Sequence, residues 1–252
     1  MSLPFDIDPH QKALGLLVLQ SDETIEQDFR RIFGPDTLIY VSRVPCATEV
    51  SRDTLQQMAE TLPPAAALFP QGARLSAIGY GCTSGTAQIG ATKISELVCS
   101  TAATDQVTQP VSALIAACKV LGVRRLGFLS PYVQDVSSHL IKTLADNGIE
   151  CPVFGSFDEG RETIVAHIAP DSTYQAAATL AKQGGIDALF LSCTNLRTLD
   201  VIEGLEQDTR LPVLSSNQAL AWHMARLTGT KLPANSFGSL FRAEIEGNKM
   251  SR

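Results

Sequence analysis

Several features that would mark common protein classes are missing from this sequence of 252 residues. No apolar run approaches the roughly 20 residues that a membrane helix needs, so we expect no membrane association. Basic residues are not in excess: the formal net charge is −6. A nucleic-acid binder shows a basic face, so no nucleic-acid partner is expected. Residues 1–10 lack the basic start and apolar core of a signal peptide, so we expect a cytoplasmic protein.

Metal-binding and redox motifs are missing as well. The six cysteines include no Cys-x-x-Cys pair, so zinc and thioredoxin-like sites have no support. Thiols stay reduced in the cytoplasm, and we therefore expect free cysteines. The four histidines have no metal-ligand spacing, and no Walker sequence is present. The sequence predicts no metal site.

Short apolar runs alternate with helix-compatible segments along the whole chain. Ala13–Leu19 is a continuous apolar run, which is typical of a strand buried on both faces of a parallel sheet. Alternation of about seven such strands with helices predicts right-handed βαβ crossovers. We expect an α/β fold of two similar parallel-sheet lobes that face each other across a cleft. Residues 1–110 plus 212–252 would form the N-terminal lobe, and residues 111–211 the C-terminal lobe.

One pattern occurs twice: an apolar run ends in a cysteine, and hydroxyl or amide residues follow. Cys82 comes after residues 75–81, and Cys193 comes shortly after residues 187–191. The residues that follow these cysteines, and that we expect to bind substrate, are Thr83, Ser84, Thr194 and Asn195. Ligands of parallel sheets lie beyond the carboxyl ends of the strands, where both cysteines fall. Asp22 is expected at the same edge, after the first strand.

The two cysteines predict a particular chemistry. A thiol has a pKa of about 8.5, and a helix N-terminus lowers that pKa; we expect a helix to start at each cysteine. Backbone N–H groups and short donors in the first turn would hold a carboxylate. One thiolate would remove a proton from, or add to, the carbon next to that carboxylate, and the other thiol would deliver a proton. This chemistry needs no metal and no organic cofactor.

A lone cysteine at a strand end is more often structural, because free cysteine is among the most buried residue types. The repeat at matching positions is what favours chemistry at Cys82 and Cys193. The other cysteines are interpreted as core or surface thiols; they are Cys46, Cys99, Cys118 and Cys151.

Four motifs carry a resemblance to a known family. They are Gly81-Cys82-Thr83-Ser84-Gly85, Ser130-Pro131-Tyr132, Ser192-Cys193-Thr194-Asn195-Leu196-Arg197 and Pro212-Val213-Leu214-Ser215-Ser216-Asn217. With them the chain resembles the aspartate/glutamate racemase superfamily, and within it the maleate cis–trans isomerase and arylmalonate decarboxylase branch. The segment 24–30 is most similar to members associated with ectoine utilisation. The resemblance implies pseudo-two-fold lobes, cofactor-independent chemistry and a homodimer or homotetramer.

The resemblance also implies roles for individual residues. Cys82 matches the cysteine that adds to the double bond of maleate, and Cys193 matches the one that assists by handling protons. Tyr132 matches a tyrosine that contacts the substrate carboxylate. Arylmalonate decarboxylases keep only the second cysteine, so Cys82 argues against decarboxylation. Asp22 and Thr163 stand where the isomerases have substrate-binding asparagines.

These observations predict an isomerase or racemase that acts on a small mono- or dicarboxylate and is similar to maleate isomerase. An ionised Asp22 would repel a dicarboxylate but pair with an amino group, so a racemase of Asp/Glu-type amino acids stays open. A third interpretation is a non-catalytic module that binds a small carboxylate, because two α/β lobes can clamp a ligand without transforming it.

Overall fold

The computed structural model describes residues 3–6, 12–232 and 237–243. Strands and helices alternate along this part of the chain. The strands are β1 Ala13–Leu19, β2 Leu38–Val44, β3 Leu75–Gly81, β4 Val107–Thr108, β5 Arg125–Ser130, β6 Glu150–Ser156, β7 Ala188–Leu191 and β8 Val213–Ser215. The helices are α1 Ile25–Phe33, α2 Arg52–Ala66, α3 Thr83–Ile89, α4 Ala91–Cys99, α5 Pro110–Leu121, α6 Gln134–Ala145, α7 Glu162–Val165, α8 Pro170–Ala181, α9 Ile202–Thr209 and α10 Ser216–Thr228.

The strands form two four-stranded parallel sheets. Their orders are β2-β1-β3-β4 and β6-β5-β7-β8, so each sheet arranges its strands in the same way: second, first, third, fourth. Every pairing between these strands is parallel. The predicted α/β class with two similar parallel sheets is confirmed.

Burial follows the position of each strand in its sheet. All residues of the inner strands β1 and β7 are buried, as expected for strands covered by helices on both faces. The edge strand β2 is mostly exposed or half-buried. The carboxyl ends of the inner strands therefore lead out of a buried core.

Two details of the first sheet do not follow from the alternation of strands and helices. The segment after Cys82 forms two helices, α3 and α4, which meet at Gly90, whose φ of +93° lies in the region that favours glycine. A short strand, β4, precedes α5 and pairs with β3. In the part of the chain that the structure describes, no helix is both long and apolar enough to cross a membrane. The six cysteines are free, as expected.

The predicted placement of residues 212–252 with the first lobe differs from the structure at β8. This strand pairs with β7 and so belongs to the second sheet. The helix that follows it, α10, packs against β3, α1 and α5. The chain therefore returns toward the first sheet at the junction between β8 and α10. Residues 233–236 and 244–252 of the predicted lobe lie outside the described residues.

Candidate active site

The first candidate cysteine caps a helix. Cys82 follows β3 and is the N-cap of α3, with an extended backbone. Its Sγ accepts a hydrogen bond from the backbone N–H of Gly85 at 3.2 Å. A Cβ atom at Gly85 would lie 2.9 Å from this sulfur and 2.7 Å from the hydroxyl oxygen of Tyr80. A side chain at position 85 would therefore collide with the groups that surround the sulfur, which explains the glycine.

Burial governs the acidity of the first thiol. It raises the pKa of Cys82 to about 12, whereas the N–H of Gly85 and the hydroxyl of Tyr80 lower it by less. Negative charge on Glu162 raises the pKa further. The prediction that the helix N-terminus lowers this pKa is wrong in its net direction, because the loss of water outweighs the two donors. Cys82 is a protonated thiol at neutral pH.

The second candidate cysteine lies in a different backbone setting. Cys193 follows β7 and has a φ of +99°, in the left-handed region that a side chain disfavours. The prediction that a helix starts at this cysteine is wrong, because the next helix, α9, begins only at Ile202. Its Sγ accepts a hydrogen bond from the backbone N–H of Asn195 at 3.3 Å. Burial raises the pKa of Cys193, and the negative charge of Glu162 adds to this shift.

A buried carboxyl group is connected to the second thiol. The hydroxyl of Tyr132 lies 2.9 Å from Sγ of Cys193 and donates a hydrogen bond to Oε1 of Glu162 at 2.5 Å. Nδ2 of Asn195 donates to Oε2 of Glu162 at 3.1 Å. Burial raises the pKa of Glu162, and these two donors lower it in part. Four side chains from three separate segments thus form one hydrogen-bonded chain that ends at a sulfur.

Glu162 is a site residue that the sequence analysis missed by one position. Thr163, predicted to bind substrate, is exposed, whereas Glu162 is buried. Both belong to the single turn α7, in which neighbouring side chains point about 100° apart. The polar stretch that contains them has no apolar period that would fix which residue faces inward. A glutamate in such a stretch looks like any solvated acid, and no sequence signal separates the two.

Asp22 lies at the predicted sheet edge. Its Oδ1 accepts hydrogen bonds from the backbone N–H groups of Thr24 and Ile25, both at 2.8 Å. Its Oδ2 is buried without a hydrogen-bond partner, and the Thr194 side chain lies beside this carboxyl group. Burial raises the pKa of Asp22, and the two backbone N–H groups lower it in part. The charges of Asp22 and Glu162 act on each other and on the thiol of Cys193.

The two strand ends are tied together by hydroxyl groups. Oγ1 of Thr194, next to the second cysteine, donates to the backbone oxygen of Gly81, next to the first, at 3.1 Å. The hydroxyl of Ser216 accepts from Oγ1 of Thr83 at 2.8 Å and from the backbone N–H of Cys193 at 3.1 Å. Of the predicted donors, Ser84 is also buried, in the first turn of α3.

Both sulfurs therefore belong to one neighbourhood. Cys82 and Cys193 lie in the same cluster of buried side chains, together with Tyr132 and Leu196. The charge of Glu162 acts on both thiols. Thr163, which was also predicted to bind substrate, is exposed.

A second layer of polar side chains supports this site. Nδ2 of Asn217 donates to the backbone oxygen of Thr194 at 2.7 Å and to Oδ2 of Asp28 at 2.9 Å. Burial raises the pKa of Asp28 to about 7. Ser216 and Asn217 had no predicted role, although both lie in one of the four motifs that carry the family resemblance. Their signal was the Ser215-Ser216-Asn217 run after the last strand, where the capped helix α10 begins.

Of two cavities in the described part of the chain, one reaches the site. A small, mostly apolar one reaches Glu162, and its lining residues are Leu19, Cys46, Ala47, Glu49, Val50, Thr54, Leu55, Met58 and Glu162. A larger, open one lies between α9 and the segment 237–243, away from both cysteines. Of the two, the small cavity is the one that adjoins the thiol chemistry. Within the described ranges, no group of three or more His, Cys, Asp and Glu residues is placed to hold a metal ion.

Comparison with known proteins identifies the family. The sequence model of the arylmalonate decarboxylase family matches residues 15–241. The chain therefore belongs to the arylmalonate decarboxylase/maleate isomerase family of the Asp/Glu racemase superfamily. This confirms the family that the motifs indicated, while the subgroup associated with ectoine utilisation stays a prediction.

Individual relatives are distant. An arylmalonate decarboxylase from Bordetella bronchiseptica is 29% identical over 134 residues, which cover 52% of this chain and 55% of that protein. The match thus spans about half the length of this relative.

Two solved structures share the fold. The maleate isomerase Iso from Pseudomonas putida S16 superposes with a TM-score of 0.80 at 23% identity, covering 91% of this chain and 97% of that chain. A cysteine-to-serine mutant of the Nocardia farcinica maleate cis–trans isomerase superposes with a TM-score of 0.75 at 20% identity. That alignment covers 92% of this chain and 98% of the other, which carries a covalently bound succinylcysteine intermediate.

Proposed function

We propose that this chain is a cofactor-independent isomerase or racemase that acts at the carbon next to the carboxylate of a small molecule. Cys82 acts as the nucleophile or base, and Cys193 as the acid/base partner. The observation that carries the proposal is that hydrogen bonds join the two strand ends that bear the cysteines. Thr194 donates to the backbone oxygen of Gly81, and Ser216 accepts from both Thr83 and the backbone N–H of Cys193. Two thiols held in one buried polar site supply the two groups that such a reaction needs: one that adds to the carbon or removes its proton, and one that delivers a proton.

A reaction similar to that of maleate isomerase fits this arrangement. Cys193 in its thiolate form takes the proton of the Cys82 thiol, and the sulfur of Cys82 adds to one carbon of the double bond. Cys193 then delivers that proton to the other carbon. Rotation about the resulting single bond, followed by loss of that proton and of the sulfur, gives the trans isomer. Addition of a thiolate and a proton to maleate gives a succinyl group on sulfur, which is the intermediate found in the Nocardia farcinica isomerase. The substrate carboxylate would be held by the donors of residues 83–84 and 194–195.

An amino-acid racemase is the second candidate, and the buried acids favour it. Asp22 has a buried oxygen without a partner, and Glu162 is a second buried carboxyl group of the same site. A dicarboxylate placed beside them would be repelled if they are ionised, whereas an ammonium group would be attracted. Matched ligand pairs separate the candidates: aspartate against succinate, and alanine against propionate, in a thermal-shift assay. Asp22→Asn should reduce any preference for the amino member, and Glu23→Gln, which removes the charge of the exposed neighbour, should not.

A non-catalytic binding module is the third candidate. Burial raises the pKa of both thiols, which is also what structural cysteines show. Such a module would be stabilised by a small carboxylate without transforming it, in wild type and in cysteine variants alike. Turnover that depends on both cysteines would exclude this candidate.

The proposed function is tested with Cys82→Ser and Cys193→Ser. Each variant is assayed for maleate turnover and for deuterium uptake from heavy water at the α-carbon of amino acids. We expect each to lose about 1,000-fold in rate, or about 4 kcal/mol of transition-state stabilisation. Cys99→Ser, at an exposed position, is the matched control and should keep the wild-type rate. Wild-type rates in both test variants, or release of CO₂ from an arylmalonate without either isomerising activity, would contradict the proposal.

The assembly and lobe boundaries belong to the same proposal. We propose a homodimer or homotetramer, which light scattering coupled to size-exclusion chromatography would measure. The two sheets would act as lobes on either side of the substrate, with the exception of β8 noted above.

A further inference from the structure

The proposed chemistry requires a proton acceptor for Cys193. Burial keeps this thiol protonated, and a protonated thiol neither adds to carbon nor removes a proton. An acceptor must lie within hydrogen-bond reach of the sulfur or of a group bonded to it. The hydroxyl of Tyr132 is in contact with Sγ, at 2.9 Å, but a phenol is itself a weak acid and a poor acceptor. The next group in this series of hydrogen bonds is the carboxyl group of Glu162, whose Oε1 lies 2.5 Å from the hydroxyl oxygen of Tyr132.

We propose that Glu162 receives the proton of Cys193 through the hydroxyl of Tyr132, so that the carboxyl group switches the sulfur between thiol and thiolate. Glu162 acts through Tyr132 and touches neither sulfur nor substrate in this role, so it is a positioning residue. The inference rests on the proposed function for its purpose, but its geometry and its test are independent of any substrate.

The proton balance of the step is simple. At rest Cys193 carries its proton and points it at the oxygen of Tyr132, while Tyr132 donates to the ionised Glu162. The S–H bond breaks as a new O–H bond forms on Tyr132, and the original O–H proton of Tyr132 moves to Oε1 of Glu162. The products are a thiolate, a neutral tyrosine and a neutral carboxylic acid. The single negative charge moves from Glu162 to the sulfur, and no proton enters or leaves the site.

Asn195 supports both ends of this relay. Its side-chain Nδ2 donates to Oε2 of Glu162 at 3.1 Å, and its backbone N–H donates to Sγ of Cys193 at 3.3 Å. The first bond favours the resting carboxylate and the second favours the thiolate, so the charge has a hydrogen-bond donor in either position. These hydrogen bonds offset part of the cost of keeping the charge away from water in either position.

Other titratable groups face the relay and set its balance. The carboxyl group of Asp22, before α1, acts on both Glu162 and Cys193, and the thiol of Cys82, after β3, is influenced by Glu162. Burial raises the pKa of Glu162 as well as that of Cys193. A raised pKa makes the carboxylate of Glu162 a stronger base than that of an exposed glutamate.

Removal of the carboxylate distinguishes a relay from simple electrostatics by the sign of the effect. If Glu162 acts only as a nearby negative charge, Glu162→Gln removes a repulsion and Cys193 becomes a better nucleophile. If Glu162 is the proton acceptor, the same substitution leaves the proton on sulfur and the thiol becomes less reactive.

The experiment measures alkylation of Cys193 by iodoacetamide between pH 6 and 10, with each cysteine quantified separately by peptide mass spectrometry. We expect Glu162→Gln to slow alkylation at pH 7 at least tenfold and to shift the pH profile to higher pH, and Tyr132→Phe to do the same. Glu162→Asp should recover part of the rate. Thr163→Ala, next to Glu162 but exposed, is the matched control and should leave the profile unchanged. Circular dichroism and thermal unfolding would verify that each variant is folded.

Three results would overturn the relay. They are an unchanged or faster reaction of Cys193 in Glu162→Gln, a wild-type profile in Tyr132→Phe, and a wild-type Cys193 that iodoacetamide does not modify at pH 7. None of them depends on turnover. A failed relay therefore leaves the cysteine-to-serine test of the proposed function intact, and a failed function leaves the relay measurable.

Discussion

The two strand ends hold equivalent cysteines in unlike surroundings. Cys82 caps α3, and the N–H of Gly85 donates to its sulfur. Cys193 starts no helix, adopts a positive φ, and contacts the phenol that is bonded to Glu162. The repeated unit of a strand followed by a cysteine determines the position of each sulfur. It does not determine whether that sulfur can exchange a proton with a neighbouring group. That chemistry depends on which other loops reach the sulfur.

The difference in surroundings assigns separate roles to the two cysteines. The donors to Cys82 are the backbone N–H of Gly85 and the hydroxyl of Tyr80, which stabilise a sulfur anion but are poor proton acceptors. Cys193 is connected to a carboxyl group that can accept a proton. The second sulfur is therefore suited to exchange protons repeatedly, and the first to form a bond with carbon. The predictions below test this contrast by altering one end, the other end, or the link between them.

The largest expected effect concerns the acids behind the Cys193 end. Because burial raises the pKa of Asp28 from its ordinary value near 3.8 to about 7, folding favours the protonated form. The stability from this group is complete below about pH 4 and falls as the pH rises to about 7, by at most about 4 kcal/mol. Asp28→Asn should lack this part of the fall. Urea denaturation at several pH values measures it, with exposed Asp53→Asn as control. Equal pH slopes in wild type and Asp28→Asn would contradict the prediction.

The next effect belongs to the Cys82 end alone. A methyl group at Gly85 would lie within 3 Å of the sulfur, of the Tyr80 hydroxyl and of the Met58 methyl carbon. Gly85→Ala should therefore cost about 3 kcal/mol of unfolding free energy through overpacking and should change the alkylation rate of Cys82 more than that of Cys193. Gly160→Ala is the control for glycine replacement, because its Cβ would meet no atom within 4 Å and its φ is not in the left-handed region. Equal changes at both cysteines would show that the two ends are not separable.

A smaller effect is expected for the link. Ser216→Ala leaves the Thr83 hydroxyl and the backbone N–H of Cys193 buried without their common acceptor. We expect a loss of about 2 kcal/mol in unfolding free energy. We also expect slower turnover, because the two sulfurs are no longer held at a fixed separation. Ser216→Thr keeps the hydroxyl and should recover part of both. Wild-type stability in Ser216→Ala would mean that the bridge does not tie the lobes together.

The smallest effect is expected at Thr163. Its side chain is exposed, so Thr163→Ala should change unfolding free energy by less than about 0.5 kcal/mol and leave catalysis unaffected. A large loss of activity in this variant would support Thr163 as a substrate-binding residue, as the sequence predicted, and would argue against the role given to Glu162.

Much of the architecture could be predicted because it depends on periodic signals. The apolar runs and their spacing predict parallel strands, and the repeat of a cysteine after two such runs indicates the carboxyl ends of β3 and β7. The sequence could not show that no helix starts at Cys193, because the spacing of Leu196, Ile202 and Leu205 suits one long helix. In the structure Leu196 is buried in a loop, and only Ile202 and Leu205 belong to a helix, the shorter α9. The sense of the pKa shifts also escaped prediction, because burial of a thiol depends on the whole tertiary structure.

The missed residues share one physical cause. Glu162, Ser216 and Asn217 are polar, and polar side chains carry no burial signal in a sequence. They matter here because distant loops bring them to the sulfurs, as Ser216 does when it accepts a hydrogen bond from Thr83, 133 positions earlier. Sequence motifs locate the strand ends, whereas tertiary packing selects which neighbours complete the site.

The central claim is that the sulfurs of Cys82 and Cys193 reach the same small molecule. The most direct measurement treats the protein with dibromobimane, a small reagent that has two thiol-reactive arms, and identifies the linked peptides by mass spectrometry. The account predicts an intramolecular crosslink that joins the two cysteines and is absent in Cys82→Ser and Cys193→Ser. Single adducts at each cysteine with no crosslink between them would contradict it.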